Sequence, residues 1–91
     1  MSMRVVILTK DGCLPCLRVK RILSELQKEN PRLVVEEVDM ASEKGLELAV
    51  AHNVLFPPAV FVDGYPPFKG KIQEGDLRRA LLFRDAGAPK V

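Results

Sequence analysis

The chain contains no tryptophan and one tyrosine, so it offers almost nothing on which nucleic-acid bases could stack. It also lacks an excess of one charge. Fourteen basic residues face twelve acidic ones, and a net charge of +2 is too balanced to argue for a nucleic-acid partner. Long apolar runs are missing too. The longest, Val54 to Val62, has nine residues including two prolines, whereas a membrane span needs about 20, so no membrane partner is expected. Met1-Ser2-Met3-Arg4 leads straight into a short apolar run with no signal-peptide pattern, which sets the cytoplasm as the expected compartment. Two cysteines are too few for a disulfide framework. With one histidine, His52, they do not make the four ligands of a zinc site, so a metal would require two chains.

What is present fits one globular domain over residues 1–91. A hydrophobic share of 47% beside 29% charged residues excludes a disordered chain, and 91 residues leave room for one core. Arg4 to Thr9 is an almost unbroken aliphatic run rich in β-branched residues and reads as a buried strand. After the turn Lys10-Asp11-Gly12 the period becomes helical: Cys16, Val19, Leu23 and Leu26 fall three and four apart, up to about Glu29. Asn30-Pro31 ends that helix.

Leu33 to Asp39 reads as a second strand, its charges placing it at a sheet edge. Ser42 caps a helix to about His52. Gly45 inside it should weaken it by about 1 kcal/mol relative to alanine, and Asn53 suits a left-handed residue at its end. Ala59 to Val62 is a short strand, Asp63-Gly64 a hairpin turn, and Phe68 to Ile72 the returning strand, delayed by Pro66 and Pro67. The last helix is expected from Gly75 or Asp76 to Asp85, stopped by Gly87 and Pro89 ahead of a frayed tail from Ala86 to Val91. The order β-α-β-α-β-β-α predicts an α/β fold: one four-stranded mixed sheet packed by three helices.

The chemistry lies in Cys13-Leu14-Pro15-Cys16. Positions i and i+3 share a helix face, which brings the two sulfurs within bonding reach. A helix amino terminus presents unpaired N–H groups and partial positive charge, and both stabilise a thiolate, the nucleophilic form. Cys13 is therefore expected to attack and Cys16, one turn deeper, to resolve, with Lys10 and Arg18 adding positive charge. Pro15 locates the helix start, because its missing N–H costs nothing in a first turn. A redox pair is one reading of this motif. Metal or cluster ligation and inert core cysteines are the others.

Three segments in order resemble the thioredoxin/glutaredoxin superfamily: strand–turn–Cys13-Leu14-Pro15-Cys16–helix, then Pro58-Ala59-Val60-Phe61-Val62-Asp63-Gly64, then Phe68-Lys69-Gly70-Lys71-Ile72. The resemblance spans about Arg4 to Leu82 and looks closest to small, glutaredoxin-sized members with a CLPC motif. It implies the minimal thioredoxin-like fold, a cis bond before Pro58 beside the disulfide, and dithiol–disulfide oxidoreductase activity with no cofactor. The implied partners are a protein disulfide as substrate and an external reductant, a thioredoxin reductase-like enzyme or glutathione; a monomer is expected. Glutathione-linked glutaredoxin activity and a non-catalytic module of the same fold are the alternatives.

The chain departs from the family pattern at several points. Ile7 stands six residues before Cys13, where thioredoxins carry a buried aspartate, and Gly12 replaces their tryptophan. Lys10 matches a glutaredoxin position that contacts a glutathione carboxylate, but the double-glycine element of that site is missing, and Gly75-Asp76 comes too late to supply it. Pro57 occupies the residue whose backbone holds an extended substrate in this family. Proline has no N–H, so one of those two bonds is lost, at about 1 kcal/mol. Leu14, Leu55, Phe56, Pro57 and Tyr65 are candidates for an apolar rim that docks substrate, although Leu55 and Phe56 equally suit a cover over the core.

Overall fold

An aliphatic strand with few polar side chains needs cover on both faces and both edges, and Met3–Thr9 (β1) has it. In a computed structural model, which describes residues 3–63 and 65–83, β1 lies inside a four-stranded sheet of order β2-β1-β3-β4. Val5, Ile7 and Leu8 are fully buried. Leu33–Asp39 (β2) pairs parallel with β1, Ile7 opposite Glu37 and Thr9 opposite Asp39. Ala59–Val62 (β3) pairs antiparallel on the other side, Leu8 opposite Ala59. Phe68–Lys69 (β4) completes the sheet, antiparallel to β3.

The helices are Leu14–Glu29 (α1), Glu43–Ala51 (α2) and Glu74–Arg78 (α3), the last continuing into a π-helical turn, Arg79–Phe83. The element order and the mixed sheet are those expected. Strand alternation divides the core in two. Val5, Ile7, Val60 and Val62 pack against Val19, Ile22, Leu23 and Leu26 of α1 and against Leu77 and Leu81. On the opposite face Leu8, Val38 and Ala59 pack with Ala49 of α2 and Val54. Ser42 caps α2, its Oγ accepting from Gly45 N at 3.0 Å, and Asn53 takes φ +56°. At the edge strand, Glu36 pairs with Lys44 at 2.7 Å and Arg4 at 2.9 Å. The Lys44 hydrogen bond first, and the Arg4 bond second, hold the Glu36 carboxyl below its ordinary value.

Three expectations change. The returning strand is two residues long rather than five, because Gly70 turns the chain into positive φ (+70°) directly after Lys69, while Ile72 drops into the core. Regular α-helical bonding in the last helix starts at Glu74 and gives way to the wider turn at Arg79. Gly45 is not a weak point awaiting alanine. A Cβ there would run into the Asp39 carbonyl oxygen and stand 2.8 Å from Met40 Cα, so its bareness allows α2 to close onto the end of β2. The Val62 carbonyl accepts from Tyr65 N at 3.0 Å at the β3–β4 connection. Gly64, the expected helix end at Asp85 with its stop signals, and the tail from Ala86 lie outside the described residues.

Candidate functional site

Thr9 ends β1, and the turn after it is short: Cys13 N donates to the Lys10 carbonyl at 3.1 Å, with Gly12 at φ +78°. An L side chain at position 12 would be strained there, which accounts for glycine. Cys13 is the N-cap of α1, extended in backbone (φ −85°, ψ 103°), and its Sγ accepts from Cys16 N at 3.1 Å. Sulfur thus takes the role an N-cap oxygen usually plays. Pro15 sits in the first turn as expected. The two Cα atoms are 5.2 Å apart and the sulfurs are joined in a disulfide. Their environments differ: Cys13 is half-buried, whereas Cys16 is 2% exposed. The more accessible cysteine is the one at the helix terminus.

The bond between Pro57 and Pro58 is cis, and Pro58 is buried immediately before β3. Because Leu8 pairs with Ala59, Pro58 lies at the same end of the sheet as the Thr9–Cys13 loop. Pro57 is half-buried; Leu14, Leu55 and Phe56 are 74%, 75% and 77% exposed. Leu55 and Phe56 therefore do not cover the core, and Tyr65 is also exposed, tilted toward Phe68 at 6.3 Å. His52, given no role from sequence, packs its ring on Phe61 at 4.8 Å. Arg18 Nη1 donates to the Ile72 carbonyl at 2.9 Å, tying α1 to the segment before α3.

A cleft of about 410 Å3 opens on the β2 side of the disulfide. Lys10, Asp11, Gly12, Cys13, Leu14, Cys16 and Leu17 line it from the loop and α1, and Thr9, Lys20, Glu37 and Asp39 complete it. Glu37 Oε2 accepts from Lys20 Nζ at 3.1 Å and from Thr9 Oγ1 at 3.2 Å. None of Leu55 to Pro58 lines this cleft, since β2 and β3 flank β1 on opposite sides. Sequence reasoning did not find Thr9, Lys20, Glu37 or Asp39. One signal was available: Lys20 follows Cys16 by four residues and shares its helix face. Among the described residues no group of three or more His, Cys, Asp or Glu side chains is gathered to hold a metal ion, and no helix is long and apolar enough to cross a membrane.

The glutaredoxin family model matches residues 5–65, which contain both cysteines and the cis-proline segment. Among solved structures, a thioredoxin-like protein from Clostridium perfringens is similar at 17% identity and TM-score 0.73, over 98% of this chain and 74% of that one. Thioredoxin f2 of Chlamydomonas reinhardtii is similar at 19% identity and TM-score 0.65, over 98% and 82%. The thioredoxin of Fasciola hepatica shares 26% identity at TM-score 0.65, over 89% and 79%. No curated protein matches the chain in sequence.

Proposed function

The chain belongs to the glutaredoxin family, and from that premise we propose that it is a dithiol–disulfide oxidoreductase whose substrates are protein disulfides. The observation that carries the reading is the asymmetry of the CxxC pair: Cys13 is half-buried at the amino end of α1 and accepts the Cys16 N–H, and Cys16 is buried behind it. That arrangement stabilises a thiolate at the accessible sulfur. The Cys13 thiolate attacks one sulfur of a target disulfide, and the other target sulfur leaves as a thiolate. Cys16 then attacks Cys13, the target's remaining thiolate departs, and the Cys13–Cys16 disulfide carries the two electrons' worth of oxidation. An external dithiol or glutathione returns the pair to the reduced state, in a reducing cytoplasm.

The exposed Leu14, Leu55 and Phe56 favour docking onto a protein over capture of a small thiol. A second reading, glutathione-linked turnover, is favoured by the family match and by Lys10 beside the disulfide. Pro57 opposes it, since its nitrogen has no hydrogen to donate to an extended ligand. The test is disulfide reduction by purified variants. Cys13→Ser is expected to lose all turnover and Cys16→Ser to accumulate mixed disulfides. Full turnover by Cys13→Ser contradicts the proposal. Efficient turnover of a glutathione mixed disulfide in a glutathione-coupled assay, with none through a thioredoxin reductase, selects the second reading.

A further inference from the structure

Cys16 has the harder proton problem. To resolve a mixed disulfide it must become a thiolate, yet it is 2% exposed, and burial among apolar groups favours the neutral thiol. The helix terminus assists Cys13, and the Cys16 N–H is itself directed at Cys13 Sγ. A proton acceptor has to reach Cys16 from elsewhere. β1, Met3–Thr9, carries no carboxylate or histidine, so it supplies none.

The cleft supplies one. Both cysteines line it, together with the carboxylates Asp11, Glu37 and Asp39. All three side chains reach solvent; Asp11 lies in the loop, and Asp39 Oδ1 is engaged with Ala41 N at 2.8 Å, where it holds the β2–α2 turn. Glu37 is anchored differently. Its Oε2 is held by Lys20, one turn beyond Cys16 on the same helix, and by Thr9, from which the loop runs to Cys13. Thr9 is buried, so the anchor is fixed by packing. One group that holds this carboxylate lies on the helix that carries Cys16, and the other ends the strand that leads into the Cys13 loop.

Building on the dithiol exchange above, we propose that Glu37 accepts the Cys16 proton across the cleft, through water, when Cys16 attacks the mixed disulfide. A cleft of about 410 Å3 has room for several waters at about 30 Å3 each. The proton passes from Cys16 Sγ to the Glu37 carboxylate. Cys16 Sγ bonds Cys13 Sγ, the bond from Cys13 to the target sulfur breaks, and the target sulfur leaves with the electron pair and is protonated from solvent. Glu37 then releases its proton through the cleft mouth. When an external dithiol reopens the Cys13–Cys16 disulfide, the same carboxyl returns a proton to Cys16. Lys20 and Thr9 are positioning residues, and Lys10, Asp11 and Asp39 are the other charged groups facing the cleft.

The test is stopped-flow reaction of the reduced protein with the aromatic disulfide 5,5′-dithiobis(2-nitrobenzoate). The first release of chromogenic thiolate reports attack by Cys13 and the second reports resolution by Cys16. In Glu37→Gln the first release is expected to keep its rate. The second should slow at pH 7 by about 10²-fold, the low end of what general-base assistance supplies. That deficit should shrink as pH rises past about 8.5, where hydroxide ionises a thiol directly. Glu37→Asp is expected to recover part of the rate, and Asp39→Asn to leave both phases as in the parent. A second release in Glu37→Gln with the parent's rate and pH profile overturns the inference, as does a slowing equal at every pH. Absence of the first release from the parent protein instead contradicts the oxidoreductase reading on which this rests.

Discussion

Replacing Gly45 by alanine sets helix propensity against packing, and the structure says packing wins. Gly45 is the third residue of α2, where alanine would be favoured over glycine by about 1 kcal/mol from propensity alone. The added Cβ, however, would overlap Asp39 O and lie 2.8 Å from Met40 Cα and 2.9 Å from Asp39 C. Comfortable carbon contacts are about 3.5–4.0 Å, and the three atoms are backbone, which has no rotamer to change. Nor is the turn loose. Asp39 O accepts from Ser42 N at 2.9 Å and Ser42 Oγ at 2.6 Å, and Met40 N donates to Thr9 O at 2.7 Å. Forcing an extra methyl into a packed site costs about 1–3 kcal/mol, and three backbone overlaps put Gly45 at the upper end. The net expectation for Gly45→Ala is a loss of about 2 kcal/mol after the propensity gain. At this chain length that lowers the midpoint of thermal unfolding by about 8–16 °C. Urea and thermal unfolding followed by circular dichroism measure it. Gly75→Ala is the control: its nearest neighbour is Arg79 Nη1 at 3.9 Å, so it is expected to gain about 0.4–1 kcal/mol. A Gly45→Ala protein as stable as the parent would refute the close-approach argument.

Pro57→Val restores a backbone N–H at the position preceding Pro58. Affinity of the disulfide form for an extended peptide or a glutathione analogue, measured calorimetrically, should rise by up to roughly tenfold; an unchanged affinity would show that no ligand bond is made there. The Glu36 carboxyl is held below its ordinary value by Lys44 and then Arg4. Its contribution is therefore present above the ordinary glutamate range and lost as pH falls through the lowered value. Glu36→Gln should accordingly show a shallower decline of the urea midpoint on acidification than the parent, and identical pH slopes would argue that the two ion pairs contribute nothing. Arg18→Met removes the bond to the Ile72 carbonyl and is expected to cost about 1 kcal/mol, read as a shifted urea midpoint without loss of disulfide reduction.

Features set by near neighbours were legible in the chain. The three-and-four spacing of Cys16, Val19, Leu23 and Leu26 marked the buried stripe of α1, and all four are buried. Pro15 located its first turn, and Asn53 its left-handed position. Features set by how distant segments meet were not. Glu36 and Glu37 looked alike as charges on an edge strand. Strand alternation turns Glu36 to Arg4 and Lys44, while Glu37 turns to Lys20 and Thr9 beneath α1. Only the register of β2 against β1 separates those two environments. Gly45 read as a propensity defect for the same reason, since the carbonyl that requires it belongs to the end of β2. The hydrogen bond of Arg18 to the Ile72 carbonyl, 54 residues away, was likewise not legible.

Disulfide exchange requires Cys13 and Cys16 to form an exchangeable pair rather than a fixed cross-link. Titration of the purified protein against dithiol and glutathione redox buffers, with alkylation of free thiols and mass analysis, tests this most directly. A single two-electron transition with a midpoint between about −270 and −120 mV, the span of disulfide-exchanging proteins, is the predicted result. A midpoint below about −300 mV, where structural disulfides lie, would contradict it.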